Sequence, residues 1–241
     1  MNLTATPKNP FFMLQCWRQA WLLMMRPELR KFIVVPILVN ILIYSLALGM
    51  GYYYVSGWVS HFIPDSLSWL SWILWPIFFI SFVVLMFFSF TLLANIMLAP
   101  FYGVISERTE ALLSGEAVVV HNIPLLRSWG SECKRLWYLL KINLPLLLLS
   151  LIPGINVIVA LLWMLVGAWS MALEYMAYPM DNAGILFVQQ KQQLQGARLN
   201  VLFFGGIVLL GLMLPVLNFL MPVLAVICAT VYWNNHKLII S

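Results

Sequence analysis

The sequence predicts an all-α integral membrane protein. It is built from two long transmembrane helices, two proline-broken and partly inserted helical hairpins, and interfacial amphipathic helices. Three observations predict this. The 241 residues are 63% hydrophobic and only 9% charged, with a mean hydropathy of +0.95. A soluble domain carries roughly 25% charged residues, so this chain cannot cover a water-facing surface. Two uncharged apolar runs are long enough to cross a bilayer, which takes about 20 helical residues. Finally, every Lys and Arg falls in 1–31, 101–141, 179–200 or after 233, the clustering expected of segments that share the cytoplasmic face.

The elements follow in order. MNLTATPKNP opens the chain. It lacks a charged stretch leading directly into an apolar one, so no cleavable leader is expected. Residues 10–25, PFFMLQCWRQAWLLMM, place Gln15, Arg18 and Gln19 on one helix face. The stretch is too short and too polar to span, and reads as an amphipathic helix in the interface. Residues 32–55 form the first span and end in an aromatic belt, YYYVSGW. Residues 67–100 form the second, with Trp69, Trp72 and Trp75 at its start. Its excess length implies tilt or a protruding end. Residues 101–141 read as cytoplasmic or interfacial helices. Gly115 stops the first of them, and Leu136, Leu139 and Leu140 give the second a membrane-facing stripe among basic residues.

The last third alternates short apolar arms. Segments 143–178 and 201–233 each carry a break with Pro-x-x-Asn, at Pro153–Asn156 and Pro215–Asn218. Arms of ten to fifteen residues are too short to cross the hydrocarbon core. They read as hairpins that enter and return, with tips buried in protein or lining water. Interrupted segments of this kind point to a transport pathway. Kinked helices with additional crossings are the alternative.

Composition also excludes functions. There is no GxxxxGK[ST], HExxH or GxSxG, and His61, His121 and His236 are isolated. Cys16, Cys133 and Cys228 are far apart and form no CxxC. No enzyme, cofactor or metal site is expected. The net charge of +5 fits the positive-inside bias of a membrane protein, so no nucleic-acid partner is expected either.

One stretch carries candidate chemistry, RPELRKF at 26–32. Cations before a first span are a topology signal. They also fit an anion site. Pro27 suits the first turn of a helix, whose free N–H groups and dipole favour an anion. Arg30 and Lys31 sit in that turn, and an Arg fork matches an oxyanion. Arg26 can help from before the proline. Glu28 opposes a dianion unless it pairs with Arg18 or Arg26.

Several stretches, in order and at family-like spacing, carry a resemblance. They are PELRKFIVVPILVN (27–40), WLSWILWPI (69–77), LANIMLAPFYGVISERTEALLSG (93–115), LIPGINVI (151–158), EYMAYPMDN (174–182) and PVLNFLMPVLAVICAT (215–230). Together they resemble the bacterial CysZ family of sulfate permeases. The resemblance implies uptake of sulfate for cysteine biosynthesis, by an all-helical inner-membrane oligomer with its basic segments in the cytoplasm. It places the sulfate site at Glu28, Leu29, Arg30 and Lys31. Where such relatives often have Gly and a second Arg, this chain has Glu28 and Lys31. Sulfite enters as a competitor or regulator, and membrane lipids as neighbours.

Entry of a dianion against about 100 mV costs roughly 4.6 kcal/mol. With no nucleotide motif and few buried acids beyond Glu174, a channel-like or facilitated route is favoured. Asn40 and Asn95 are candidate pathway-lining polar residues. Glu107, Arg108 and Glu110 are candidates for a pore entrance. The alternatives are a non-transporting scaffold or lipid-binding protein, and a permease or exporter for sulfite, thiosulfate or molybdate.

Overall fold

The computed structural model describes residues 10–62, 69–115 and 124–240. Those residues are almost wholly helical: α1 (Pro10–Met24), α2 (Pro27–Phe62), α3 (Ser71–Leu98), α4 (Tyr102–Ser114), α5 (Leu125–Leu149), α6 (Asn156–Tyr175), α7 (Ala177–Asn182), α8 (Phe187–Gly196), α9 (Arg198–Met213) and α10 (Pro215–Ile240). A 3₁₀ turn, Ala99–Phe101, leads into α4. His121 and Glu116 lie outside the described residues.

Among the described residues, four stretches are long and apolar enough to cross a membrane: Pro27–Trp58, Ser71–Phe90, Asn156–Asn182 and Leu217–Asn235. Helices α8 and α9 together make a fifth candidate, bent by 106°. The chain divides into two compact units, 32–99 and the remainder (1–31 with 100–241).

In unit 32–99, α2 and α3 meet through large side chains. Tyr52 lies 4.9 Å from Trp75 between ring centroids, and Tyr44 lies 6.3 Å from Phe90. The Tyr44 hydroxyl is 2.6 Å from Ser89 Oγ. Ser89 spends its own proton on the Leu85 carbonyl, so Tyr44 is the donor. Both helices show lipid-type exteriors. The α2 positions that are buried, Leu29, Ile33, Pro36 and Asn40, fall on one stripe at intervals of four, three and four.

The larger unit is organised by α6 against α9, the most extensive helix pairing among the described residues. At their crossing Gly205 faces Ala168 and Ala172, and a Cβ on Gly205 would run into the Ala168 carbonyl. Small residues at the crossing let two backbones approach, which is how helices gain contact where lipid is as apolar as the side chains. Helix α10 packs on α1, α4 and α9. Its face from Val223 to Trp233 is almost entirely buried. Helix α1 buries Phe12, Met13, Cys16, Ala20, Leu23 and Met24 while exposing Leu14, Trp21 and Leu22, so it lies on the unit with an apolar outer edge.

The arm lengths differ from those expected. The basic segment and the first arm of 143–178 are one continuous helix, α5, of 25 residues. Pro145 sits inside it. A proline in a helix interior removes one N–H bond, and here the helix continues through. In the second hairpin the break is at Leu214, which is extended (φ −91°, ψ 117°). Pro215 then starts α10, as its fixed φ favours at a first helical position. Of the four hairpin arms α5, α6, α9 and α10, only α9, at 16 residues or about 24 Å, is clearly shorter than a bilayer core of about 30 Å.

Replacing Gly205 with Ala is expected to force α6 and α9 apart, at a cost of about 2–3 kcal/mol, read as a lower thermal midpoint in detergent. Gly206→Ala, with nothing within 4 Å of the added methyl, is the control and should leave the midpoint unchanged or slightly raised.

Candidate functional site

The turn between α1 and α2 is built around one carbonyl. Arg26 O accepts from both Leu29 N (3.1 Å) and Arg30 N (2.8 Å), while Arg26 N bonds back to Leu23 O (2.9 Å). Pro27 has no N–H to offer. The Leu29 amide is therefore committed, and among the described first-turn amides only that of Glu28 has no main-chain acceptor. This narrows the cradle expected at 28–31. Leu29 is an anchor rather than a contact, since its side chain is wholly buried.

Arg26, Glu28, Arg30 and Lys31 are all exposed. Arg26 lies in the turn just before α2, while Glu28, Arg30 and Lys31 lie in its first turn. At about 100° per residue, Glu28 projects roughly 160° from Arg30. On the helix wheel the acid thus projects away from Arg30.

Asn40 lies ten residues along α2 from Arg30, about 15 Å by helical rise. It is completely buried, and neither Nδ2 nor Oδ1 finds a hydrogen-bond partner among the described residues. A buried amide without a partner costs about 1–3 kcal/mol, so this one is available to any polar species that reaches it. Asn95 belongs to α3, and its side chain lies outside the described residues.

The α4 candidates sit on a helix fixed by three polar and aromatic contacts. Asn182 Nδ2 donates to the Gly103 carbonyl at 3.0 Å. Ser106 Oγ lies 2.9 Å from Thr230 Oγ1 in a buried position. Thr230 gives its proton to the Val226 carbonyl, so Ser106 donates. Tyr102 packs edge-on to Tyr178 and Tyr175, at 5.3 and 6.4 Å between centroids. Burial, and then the neighbouring Tyr175, Tyr178 and Glu174, push the Tyr102 hydroxyl well above the ordinary range. It stays neutral. On this helix Arg108 is exposed, Glu107 half-buried and Glu110 buried. The helix ends at Gly115, with φ 76°.

One polar network was not anticipated. Arg135 is buried and donates to Glu132 Oε2 (3.1 Å) and to Gln190 Oε1 (3.2 Å), with the Phe187 ring 5.8 Å away. Gln190 Nε2 donates to Asp181 Oδ1 and to the Ile185 carbonyl, both at 2.6 Å. Phe187 N donates to Ser131 Oγ at 2.9 Å. Gly184, at φ 78°, closes α7: Ile185 N bonds to Met180 O and Gly184 N to Asp181 O, a left-handed cap that glycine adopts without strain. The network ties α5, α7 and α8 together. Its one sequence signal is that Arg135 follows Ser131 by four residues and Glu132 by three, which puts the three on one face of α5.

The protein is therefore a multi-pass helical membrane protein in which a cationic turn opens the first spanning helix. Residues 16–222 match the family described as Sulfate transporter CysZ/Etoposide-induced protein 2.4, and the chain belongs to that family. A Pseudomonas aeruginosa protein named Sulfate transporter CysZ is 38% identical over 226 residues, covering 89% of this chain and 91% of the relative. Proteins of the same name from Pseudomonas syringae pv. tomato and Pseudomonas fluorescens are 38% and 35% identical over 234 and 235 residues, with at least 92% of each chain covered.

Three of the stretches that carry the family resemblance converge at α4. Gly103 and Ser106 belong to the first, Asn182 to the second and Thr230 to the third. A double-mutant cycle of Ser106→Ala and Thr230→Val should give a coupling of about 0.6–1 kcal/mol in detergent unfolding, the range for interhelical bonds in membranes. Additive losses would mean the two hydroxyls do not act together.

Proposed function

We propose that the protein is a sulfate permease of the bacterial inner membrane, carrying sulfate inward for cysteine biosynthesis by a channel-like or facilitated route. The observation that carries this reading is the exposed cationic turn at the start of α2, in a chain whose relatives are named for sulfate transport. Arg30 and Lys31 are the proposed contacts, with Arg26 helping from before Pro27 and the Glu28 amide as the backbone donor. Glu28 contributes its N–H but repels through its carboxylate. Buried Asn40 is proposed as a polar station further along the same helix. Glu107, Arg108 and Glu110 line the proposed entrance. Sulfite, which shares the oxyanion chemistry, is a proposed competitor.

Three features support the arrangement in the membrane. The basic segments share one proposed cytoplasmic face. The short α9 is proposed to enter from that face and α10 to return to it. The described apolar window of α3 has no residue buried inside the chain, which supports a homo-oligomer bathed in lipid.

In liposomes, radiolabelled sulfate uptake should fall about ten-fold or more for Arg30→Ala and for Lys31→Ala, since a charge-assisted contact contributes about 1.5–3 kcal/mol. Glu28→Gln should bind sulfate more tightly. Uptake no faster than that of empty liposomes would sink the transport reading; full uptake in both cation variants would sink only the site. Excess sulfite, thiosulfate or molybdate in the same assay ranks the oxyanions.

The cysteines report topology. Cys133 on α5 is exposed, whereas Cys16 and Cys228 are buried. Burial pushes the Cys16 thiol up to about 12, so its reactive thiolate is scarce near neutrality. An impermeant maleimide should add one label per chain in inside-out vesicles and none in right-side-out vesicles. The reverse pattern would place the basic segments outside.

A further inference from the structure

A cleft of about 270 Å³ opens between α5, α6, α8 and α9, lined by Tyr138, Ile142, Leu165, Val166, Trp169, Gln195, Arg198 and Leu202. Its lining is layered. Tyr138 and Trp169 meet at one level, and Ile142 and Leu165 form an aliphatic tier one turn, about 6 Å, beyond them on α5 and α6. On α9, Gly205 faces Ala168 and Ala172, so Leu202 lies about one turn to the other side of Trp169 and Arg198 about one turn further. The cleft therefore runs from Arg198 at its polar end, past Leu202 and the Tyr138–Trp169 pair, to the aliphatic tier.

The polar groups are organised. Trp169 Nε1 donates to Tyr138 Oη at 3.2 Å, and the Lys191 ammonium lies 4.7 Å from the Tyr138 ring centroid. Arg198 is exposed, with no acidic partner among the described residues. It stands where the chain bends by 106° from the polar α8 into the apolar α9. Polar-to-apolar turns of this kind mark the depth of lipid phosphates, where Trp and Tyr also collect.

From this layering we infer a binding site for one anionic phospholipid. Its phosphate is held by Arg198 with Lys191 and Gln195, and an acyl chain lies along Ile142, Leu165 and Leu202. Charge decides the occupant. Two cations without a matching acid favour a net-negative headgroup over a zwitterionic one, and the aliphatic tier rewards a chain that a free oxyanion lacks. The site is separate from the cationic turn at 26–31 and does not rest on the transport reading.

The test is native mass spectrometry of the delipidated full-length protein in detergent, titrated with dioleoyl phosphatidylglycerol or dioleoyl phosphatidylcholine. The expected result is retention of one phosphatidylglycerol per chain, at least five-fold preferred over phosphatidylcholine. Each basic side chain near anionic lipid contributes about that factor. The preference should shrink with added salt, disappear in a Lys191→Gln, Arg198→Gln double variant, and persist in Arg127→Gln. Leu202→Trp, which blocks the path from Arg198 to the aliphatic tier, should weaken retention of both lipids. Equal retention of the two lipids by the parent protein would overturn the inference. So would undiminished phosphatidylglycerol retention in the double variant, or occupancy by inorganic phosphate with no lipid retained.

Discussion

The crossing of α6 and α9 at Gly205 is the contact on which the larger unit depends. Inside a bilayer the hydrophobic effect does not drive helices together, so close packing and hydrogen bonds must. A missing side chain at Gly205 brings two backbones together over Ala168 and Ala172. That contact joins the two hairpins, because α6 carries α5 and α9 carries α10. With the hairpins joined, α10 offers a buried face on which α1 and α4 settle. The start of α2 is then set by Leu29, wholly buried while every charged neighbour in the turn is exposed. Placement of the cations thus descends from packing rather than from the cations themselves.

Polar groups away from water follow a second rule. Each must find a partner within the chain, or the cost of leaving water is not recovered. Gln190 illustrates full satisfaction, with both amide hydrogens and its oxygen committed. Asn40 illustrates the opposite, buried with nothing to bond among the described residues. The completed contacts of Gln190 hold α5, α7 and α8 together.

Much of this was legible in the sequence, and particular residues show why the rest was not. Pro27 announced the start of α2, because proline suits a first helical position. Gly115 announced the end of α4. The same proline rule explains the misplaced break in the second hairpin: Pro215 starts a helix, and the kink falls on Leu214 before it. Pro145, by contrast, lies within a helix that simply continues. The exposure of Arg26, Arg30 and Lys31 followed from charge. The commitment of the Leu29 amide did not, because it depends on how the α1–α2 turn aims the Arg26 carbonyl. Arg135 was read as one cation of a basic helix. Its true neighbour Gln190 is 55 positions away, beyond the reach of local pattern.

The bonds that fix α4 span long stretches of chain. Gly103 waits 79 positions for Asn182, and Ser106 waits 124 for Thr230. Synthesis runs from the N-terminus, so both spanning helices of unit 32–99 emerge well before α10 exists. During that interval the inner face of α4 is incomplete, with the Ser106 hydroxyl lacking its Thr230 acceptor. The clasp on α4 is therefore completed by the last helix of the chain, and a chain ending before Thr230 would keep α2 and α3 but leave Ser106 without its acceptor.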